Sequence, residues 1–359
     1  MKSRPSHVMS KESTHSNGVR LLTSTAAGGG RPAPLHGRRL FSLLLGSLLN
    51  FAQPLVGAEI VWTNVAGGNW NSAVNWDPNQ VPGAADNAYI TNAGTYTVTV
   101  NSAVTVNSIT GGAEAGTQTL SLTGNTLTIN DSSELGTNCN FSISGGTLTG
   151  GGDVTVNGVL SWAGGTMSGS GKTIVAGGAT ASLSGATKTL GRMLQNDGTV
   201  NWSAGAISGQ GGAVLTNSGV FNATGTTTFS SAGSFGNGGT FNKSGTGTMF
   251  FNGIPFSNTG TVVVQGGTLR LGGGGTQSGS MEVDDEATLE FSNSYTYTGG
   301  STLSGAGTVA INGGTHTFPA GTFTPTGTVN FNNGTITINN SFTPSVMGTV
   351  AGSSRSTKW

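Results

Sequence analysis

The sequence predicts an all-β chain: a right-handed, parallel, three-sided β-solenoid of about 20 residues per rung, closed at its start by a Trp-rich cap. Three observations predict it. Thr248, Thr268, Thr288, Thr308 and Thr328 recur every 20 residues, each behind a Gly or Ala and each followed by apolar residues at +1 and +3. Asn196, Asn217, Asn237 and Asn258 recur at steps of 21, 20 and 21, each with Gly two residues later and an apolar residue two before. Gly-Thr pairs beginning at Gly307, Gly314, Gly321, Gly327 and Gly334 stand 7, 7, 6 and 7 apart, so three short strands make one rung. Apolar residues alternating by two are the signature of a strand with one buried face. An antiparallel sandwich also uses short strands between frequent turns, but it has no need of a 20-residue echo.

Composition agrees. Gly supplies 63 of 359 residues, against about 7% in ordinary chains. Charged residues make up 8%, where about a quarter is usual. A single cysteine, Cys139, excludes a disulfide scaffold, and 14 bases against 14 acids exclude a basic nucleic-acid binder. The absence of Gly at every third position excludes collagen.

Residues 1–58 read as an export signal with a long basic n-region. Arg38 and Arg39 precede an apolar run from Leu40 to Leu49, and Val56-Gly57-Ala58 is a small-residue cleavage pattern, so cleavage is expected after Ala58. The run is too short for the ~20 residues of a membrane span. The Arg pair also fits a twin-arginine signal, with Gly37 in place of the usual hydroxyl residue. Loss of this leader removes seven bases and one acid, leaving 13 acids against 7 bases. The expectation is a mildly acidic, secreted or cell-surface chain, with no nucleic-acid partner and no span in the mature part.

Residues 59–90 form the Trp-rich cap. Trp62, Trp70 and Trp76 cluster ahead of Val81-Pro82-Gly83. A first rung otherwise exposes its core and a sheet edge, so these rings are expected to plug the end. They are also the candidate glycan-binding residues, since exposed aromatic faces stack on sugars.

Residues 91–343 carry the rungs, roughly 12 of them and about 60 Å of solenoid at ~4.8 Å each. A 40-residue echo, Gly158 to Trp162 against Gly198 to Trp202, fits two rungs, and Leu127 with Leu148 extends the series backward. Stacked Asn196, Asn217, Asn237 and Asn258 are expected to form a ladder along one corner. Strand centres Phe250, Arg270, Glu290, Ala310 and Asn330 point outward, which puts Arg270 and Glu290 one rung apart as an ion pair. Residues 344–359 break the repeat and are expected to be an irregular tail.

A resemblance covers most of residues 60–340. The run from Gly68 through Trp70 and Trp76 to Asp86-Asn87 resembles the opening of large secreted β-strand-repeat proteins of bacteria, and is more weakly similar to the start of G8 domains. The segments 160–169, 258–271 and 287–291 resemble that family's repeats. The resemblance implies a surface or secreted β-helix in the style of autotransporter and filamentous-haemagglutinin passengers, and does not imply an enzyme.

Catalytic constellations are sparse. Beyond residue 58 the one histidine is His316, on a strand position usually apolar, and no triad surrounds it in sequence. No zinc pattern or cofactor fingerprint is present. Glu282, Asp284, Asp285 and Glu286 are the candidate calcium residues, although they lack EF-hand and β-roll spacing. A polysaccharide-active β-helix enzyme, lyase or glycosidase, is the alternative function. It would need acids such as Asp131, Glu134 and Asp153, or the 282–290 group, to converge in a groove. A second alternative, ice or crystal-surface binding, rests on Thr-x-Thr pairs at 126/128, 147/149, 226/228, 246/248 and 335/337. The favoured expectation is a structural or adhesive solenoid with Asn/Thr/Ser faces. Its partners would be surface glycans or other cell-envelope components, in weak multivalent contact.

Overall fold

A computed structural model describes residues 57–339 and the strand Val346–Val350. The expected leader up to residue 56 and the end of the chain lie outside the described residues. Those described form a three-sided parallel β-solenoid, with 15 strands on a first face and 13 on each of the other two. No α-helix occurs among them, and one 3-10 turn, Ala73–Asn75, lies in the cap. Among the described residues no helix is long and apolar enough to cross a membrane.

The register matches the sequence ruler. Thr248 pairs with Thr268, Thr268 with Thr288 and Thr288 with Thr308, on consecutive strands of the third face. Leu194, Leu215, Phe235 and Phe256 stack on the first face. Trp162, Leu183 and Trp202 stack on the second, which is the 40-residue echo. Most strands have four residues, of which two are buried, as in Val214–Asn217 and Thr268–Leu271. Two inward side chains per strand are enough because the next rung covers them, so 34% hydrophobic residues suffice. The interior then runs as aromatic columns. Phe221 stacks on Phe241 at 5.4 Å and Phe235 on Phe256 at 4.9 Å, with Phe251 edge-on to Phe256 at 4.9 Å. Ala310 departs from the outward pattern of strand centres and is 8% exposed.

The Asn series forms the expected ladder, buried where the first face turns into the second. Asn196 Nδ2 donates to Asn217 Oδ1 at 2.6 Å, Asn217 to Asn237 and Asn237 to Asn258 at 2.7 Å. Each Nδ2 also bonds the first carbonyl of a second-face strand, as Asn237 does to Thr261 at 3.0 Å. The glycine two residues later has a steric cause. A Cβ on Gly239 would run into the Gly219 carbonyl oxygen one rung below, and one on Gly260 into that of Gly239.

At each end strand pairing extends beyond residues 91–343. Parallel pairing starts inside the cap, where Glu59–Trp62 lies beside Asn87–Ile90. Trp76–Asp77 then folds back antiparallel on Glu59–Trp62 and covers that edge. At the other end Val346–Val350 adds a parallel strand beside Thr328–Phe331, with a register shift between Val329 and Phe331. That strand lies within the residues expected as an irregular tail.

Candidate functional site

Alternate residues leave each strand, so the outward side chains line up in columns across rungs. On the second face one column reads Ser121, Ser142, Ser161, Ser182, Asn201, Asn222 and Asn242. The Asn members bond one another, Asn222 to Asn201 and Asn242 to Asn222, at 2.9 Å. On the third face Thr126, Thr147, Thr166 and Thr189 form one column, with Thr105, Thr128 and Thr149 beside it. These are neutral hydroxyl and amide surfaces, partly exposed.

The first face carries a local defect. Rungs there usually step by 20 or 21 residues, but Glu134 pairs with Thr110, 24 residues back. The main-chain N–H of Ile109 donates to Ser133 Oγ at 2.8 Å. The hydroxyl takes the place of a main-chain acceptor at that step. A shallow depression of about 440 Å³ lies there, lined by Thr110, Ser132, Ser133, Glu134 and Thr155. Glu134 is exposed, and Asn157 Nδ2 donates to its Oε1 at 3.1 Å.

Asp131 and Asp153 do not join Glu134 in that lining. Asp131 Oδ1 accepts the N–H of Ser132 and Asp153 Oδ1 that of Lys172, both at 2.7 Å. The carboxylate pair that glycoside hydrolysis uses is not assembled in the depression.

Trp62 and Trp70 are 0% exposed and Trp76 1%. They pack on one another, with Trp62 and Trp76 at 5.0 Å and Trp70 and Trp76 at 4.8 Å. Trp76 Nε1 donates to the Trp70 carbonyl at 2.7 Å. The sequence expectation of a sugar platform at these rings is corrected accordingly: they fill the first rung and offer no open ring face.

The candidate calcium residues are spread along one strand and the turn that follows it. Among the described residues no three His, Cys, Asp or Glu side chains are grouped to hold a metal ion. Glu282 stands outward on Ser280–Val283, while Asp284, Asp285 and Glu286 follow the turn after it. Asp285 Oδ1 accepts the Glu286 N–H at 3.1 Å. Arg270 and Glu290 do pair, Nε to Oε1 at 2.8 Å, with the guanidinium 4.5 Å over the Phe250 ring.

His316 is buried and structural. Its Nε2 meets the Gly313 carbonyl, which only accepts, so Nε2 carries the hydrogen and Nδ1 accepts from the Tyr297 hydroxyl, both at 3.0 Å. Burial pulls its pKa below 6.5, opposed in part by the Gly313 and Asn293 carbonyls. Cys139 is buried, and burial pushes its thiol up to about 12, which leaves no thiolate at neutral pH.

Sequence reasoning missed three buried cations. Lys188 Nζ donates to the carbonyls of Ser184, Ala186 and Ala204 at 2.7, 2.9 and 3.0 Å. Lys243 Nζ donates to those of Ser244, Gly245 and Gly266 at 2.9, 3.0 and 3.0 Å. Three acceptors match the three hydrogens of an ammonium group. Burial lowers Lys188 to about 8, still charged at neutral pH, and lowers Lys243 as well. Arg192 reaches the Gly171, Gly152 and Lys172 carbonyls at 2.7, 2.8 and 2.7 Å. Burial brings it down to about 10, opposed by Asp153. These side chains satisfy corner carbonyls from inside.

Fold and faces together define a three-sided parallel β-solenoid repeat protein. Comparison with protein families, with curated proteins and with solved structures found no match.

Proposed function

We propose that the chain is an exported structural or adhesive solenoid, acting at the cell surface or after secretion. Its faces would hold glycans or other cell-envelope material through many weak contacts. The observation that carries this is the second-face column, seven consecutive Ser and Asn side chains in register from Ser121 to Asn242. Hydroxyl and amide groups exchange hydrogen bonds with sugar hydroxyls at little desolvation cost. One such contact is weak, and repetition at a fixed spacing makes the sum useful. The basic leader with its Ala58 site and the resemblance to secreted bacterial β-strand-repeat proteins support export. Incubation of the purified chain with insoluble cellulose, chitin and peptidoglycan tests it. Sedimentation with a polymer and no released sugar is expected; released sugar would favour the β-helix enzyme instead.

A second use of the same scaffold is favoured by the third face. Thr126 and Thr128 stack on Thr147 and Thr149, and Thr147 on Thr166. The array has ~4.8 Å between rungs and about 6.7 Å along a strand, a lattice suited to an ordered surface such as ice. Inhibition of ice recrystallisation, lost in Thr128→Lys and Thr149→Lys, is the matching test.

A further inference from the structure

We propose that the depression around Glu134 is a discrete sugar subsite that takes one residue of a neutral glycan chain lying along the first face. The inference rests on the glycan-binding reading above and adds a discrete site on another face, separate from the second-face column.

The site is built into the fold. The depression lies where the rung takes a 24-residue step and the Ser133 hydroxyl accepts the Ile109 N–H in place of a main-chain carbonyl. Glu134 stands in the middle of the opening, with Thr110 one rung before it and Thr155 one rung after. Asn157 holds one carboxylate oxygen, which fixes the side chain and leaves the other to accept hydrogen bonds. A fixed acceptor between two hydroxyl groups matches the adjacent hydroxyls of a pyranose ring. The carboxylate would repel a uronic acid, so the fit is to a neutral sugar.

A separate observation supports a chain lying across the rungs. In the same outward column Tyr89 precedes Thr110 and Ile174 follows Thr155. Both are partly exposed. The track therefore runs aromatic, hydroxyl, carboxylate, hydroxyl, aliphatic over four rung steps, about 19 Å. Sugar rings have apolar faces and polar edges, and an aromatic face beside a polar slot suits both.

Titration of the full chain with soluble cello- and chito-oligosaccharides, with oligogalacturonate for comparison, tests this by calorimetry or saturation-transfer NMR. Binding of a neutral oligosaccharide is expected, weakened at least fivefold by Glu134→Ala and by Tyr89→Ala. Glu290→Ala on the third face should leave it unchanged, and far-UV circular dichroism checks that each variant folds. Binding indifferent to both first-face substitutions, or a preference for oligogalacturonate, overturns the subsite. If soluble oligosaccharides fail to bind while insoluble polymer still sediments the chain, the subsite is wrong and the multivalent reading stands. If neither binds, both fall.

Discussion

Asn217 donates an Nδ2 hydrogen to Oδ1 of Asn237, one rung further on, at 2.7 Å inside the core. Every link of that ladder points the same way, and Gln277 ends it by accepting from Asn258 at 2.9 Å. A directional chain has an unpaired first acceptor. Asn196 Oδ1 is that atom, buried without a hydrogen-bond partner, because Val175 occupies the rung before it. Asn237→Ala removes a middle link and leaves the Asn258 oxygen orphaned as well. The expected loss is about 3 kcal/mol. Asn196→Ala should cost less, since one of its own polar atoms is already unpaired. Urea unfolding of the two variants compares them, and an equal loss would contradict the ladder's direction.

Two glycines three residues apart should respond oppositely to alanine. A Cβ on Gly239 has no room beside the Gly219 carbonyl oxygen, and backbone cannot yield as a flexible side chain would. A Cβ on Gly236 meets nothing within 4 Å. Gly239→Ala is expected to lower the melting temperature by many degrees. Gly236→Ala should be neutral or raise stability by about 0.5 kcal/mol through the unfolded chain. Thermal melts of the pair decide it.

Glu286 sits at φ 65°, one of two non-glycine residues in the left-handed region among those described. Its side chain is exposed and carries no contact that would repay the strain. Glu286→Gly should therefore stabilise the turn by about 1 kcal/mol. A calcium role for this residue predicts the opposite, a loss of calcium-dependent stabilisation, so melts with and without the ion separate the two.

His316 should make the fold acid-sensitive. Burial holds its folded pKa below 6.5, so as pH falls the unfolded imidazole takes up a proton first. Stability that is full above pH 6.5 is then lost as pH drops from 6.5 toward the folded value. Replacing His316 and Tyr297 together by Phe removes the titrating group without orphaning the hydroxyl. The double variant should show a flatter dependence of urea midpoint on pH below 6.5. An unchanged slope would assign the acid sensitivity elsewhere.

Much of the fold was legible because stacking forces identical residues to recur. Thr268 over Thr288, and Arg270 beside Glu290, follow from a constant 20-residue step. The ladder was legible as far as Asn258. Gln277 continues it 19 residues later within Gln277-Ser278-Gly279, where a longer amide replaces Asn and hides the pattern. Lys188, Lys243 and Arg192 were not legible, because a charged residue on an alternating strand ordinarily points outward. Here each reaches corner carbonyls from within, and their acceptors come from separate stretches of the chain. Trp62, Trp70 and Trp76 were recognised as a cap, but sequence carries no information on which ring face stays open. The Glu134 depression was invisible for a related reason: it arises where the register departs from its period.

The central claim is that outward polar columns, not core residues, hold the partner. Truncating Ser161, Ser182, Asn201, Asn222 and Asn242 to Ala strips the second face without touching the core. The variant should keep the far-UV circular dichroism of the parent while the fraction sedimenting with insoluble polysaccharide falls severalfold. Sedimentation equal to that of the parent would contradict the claim.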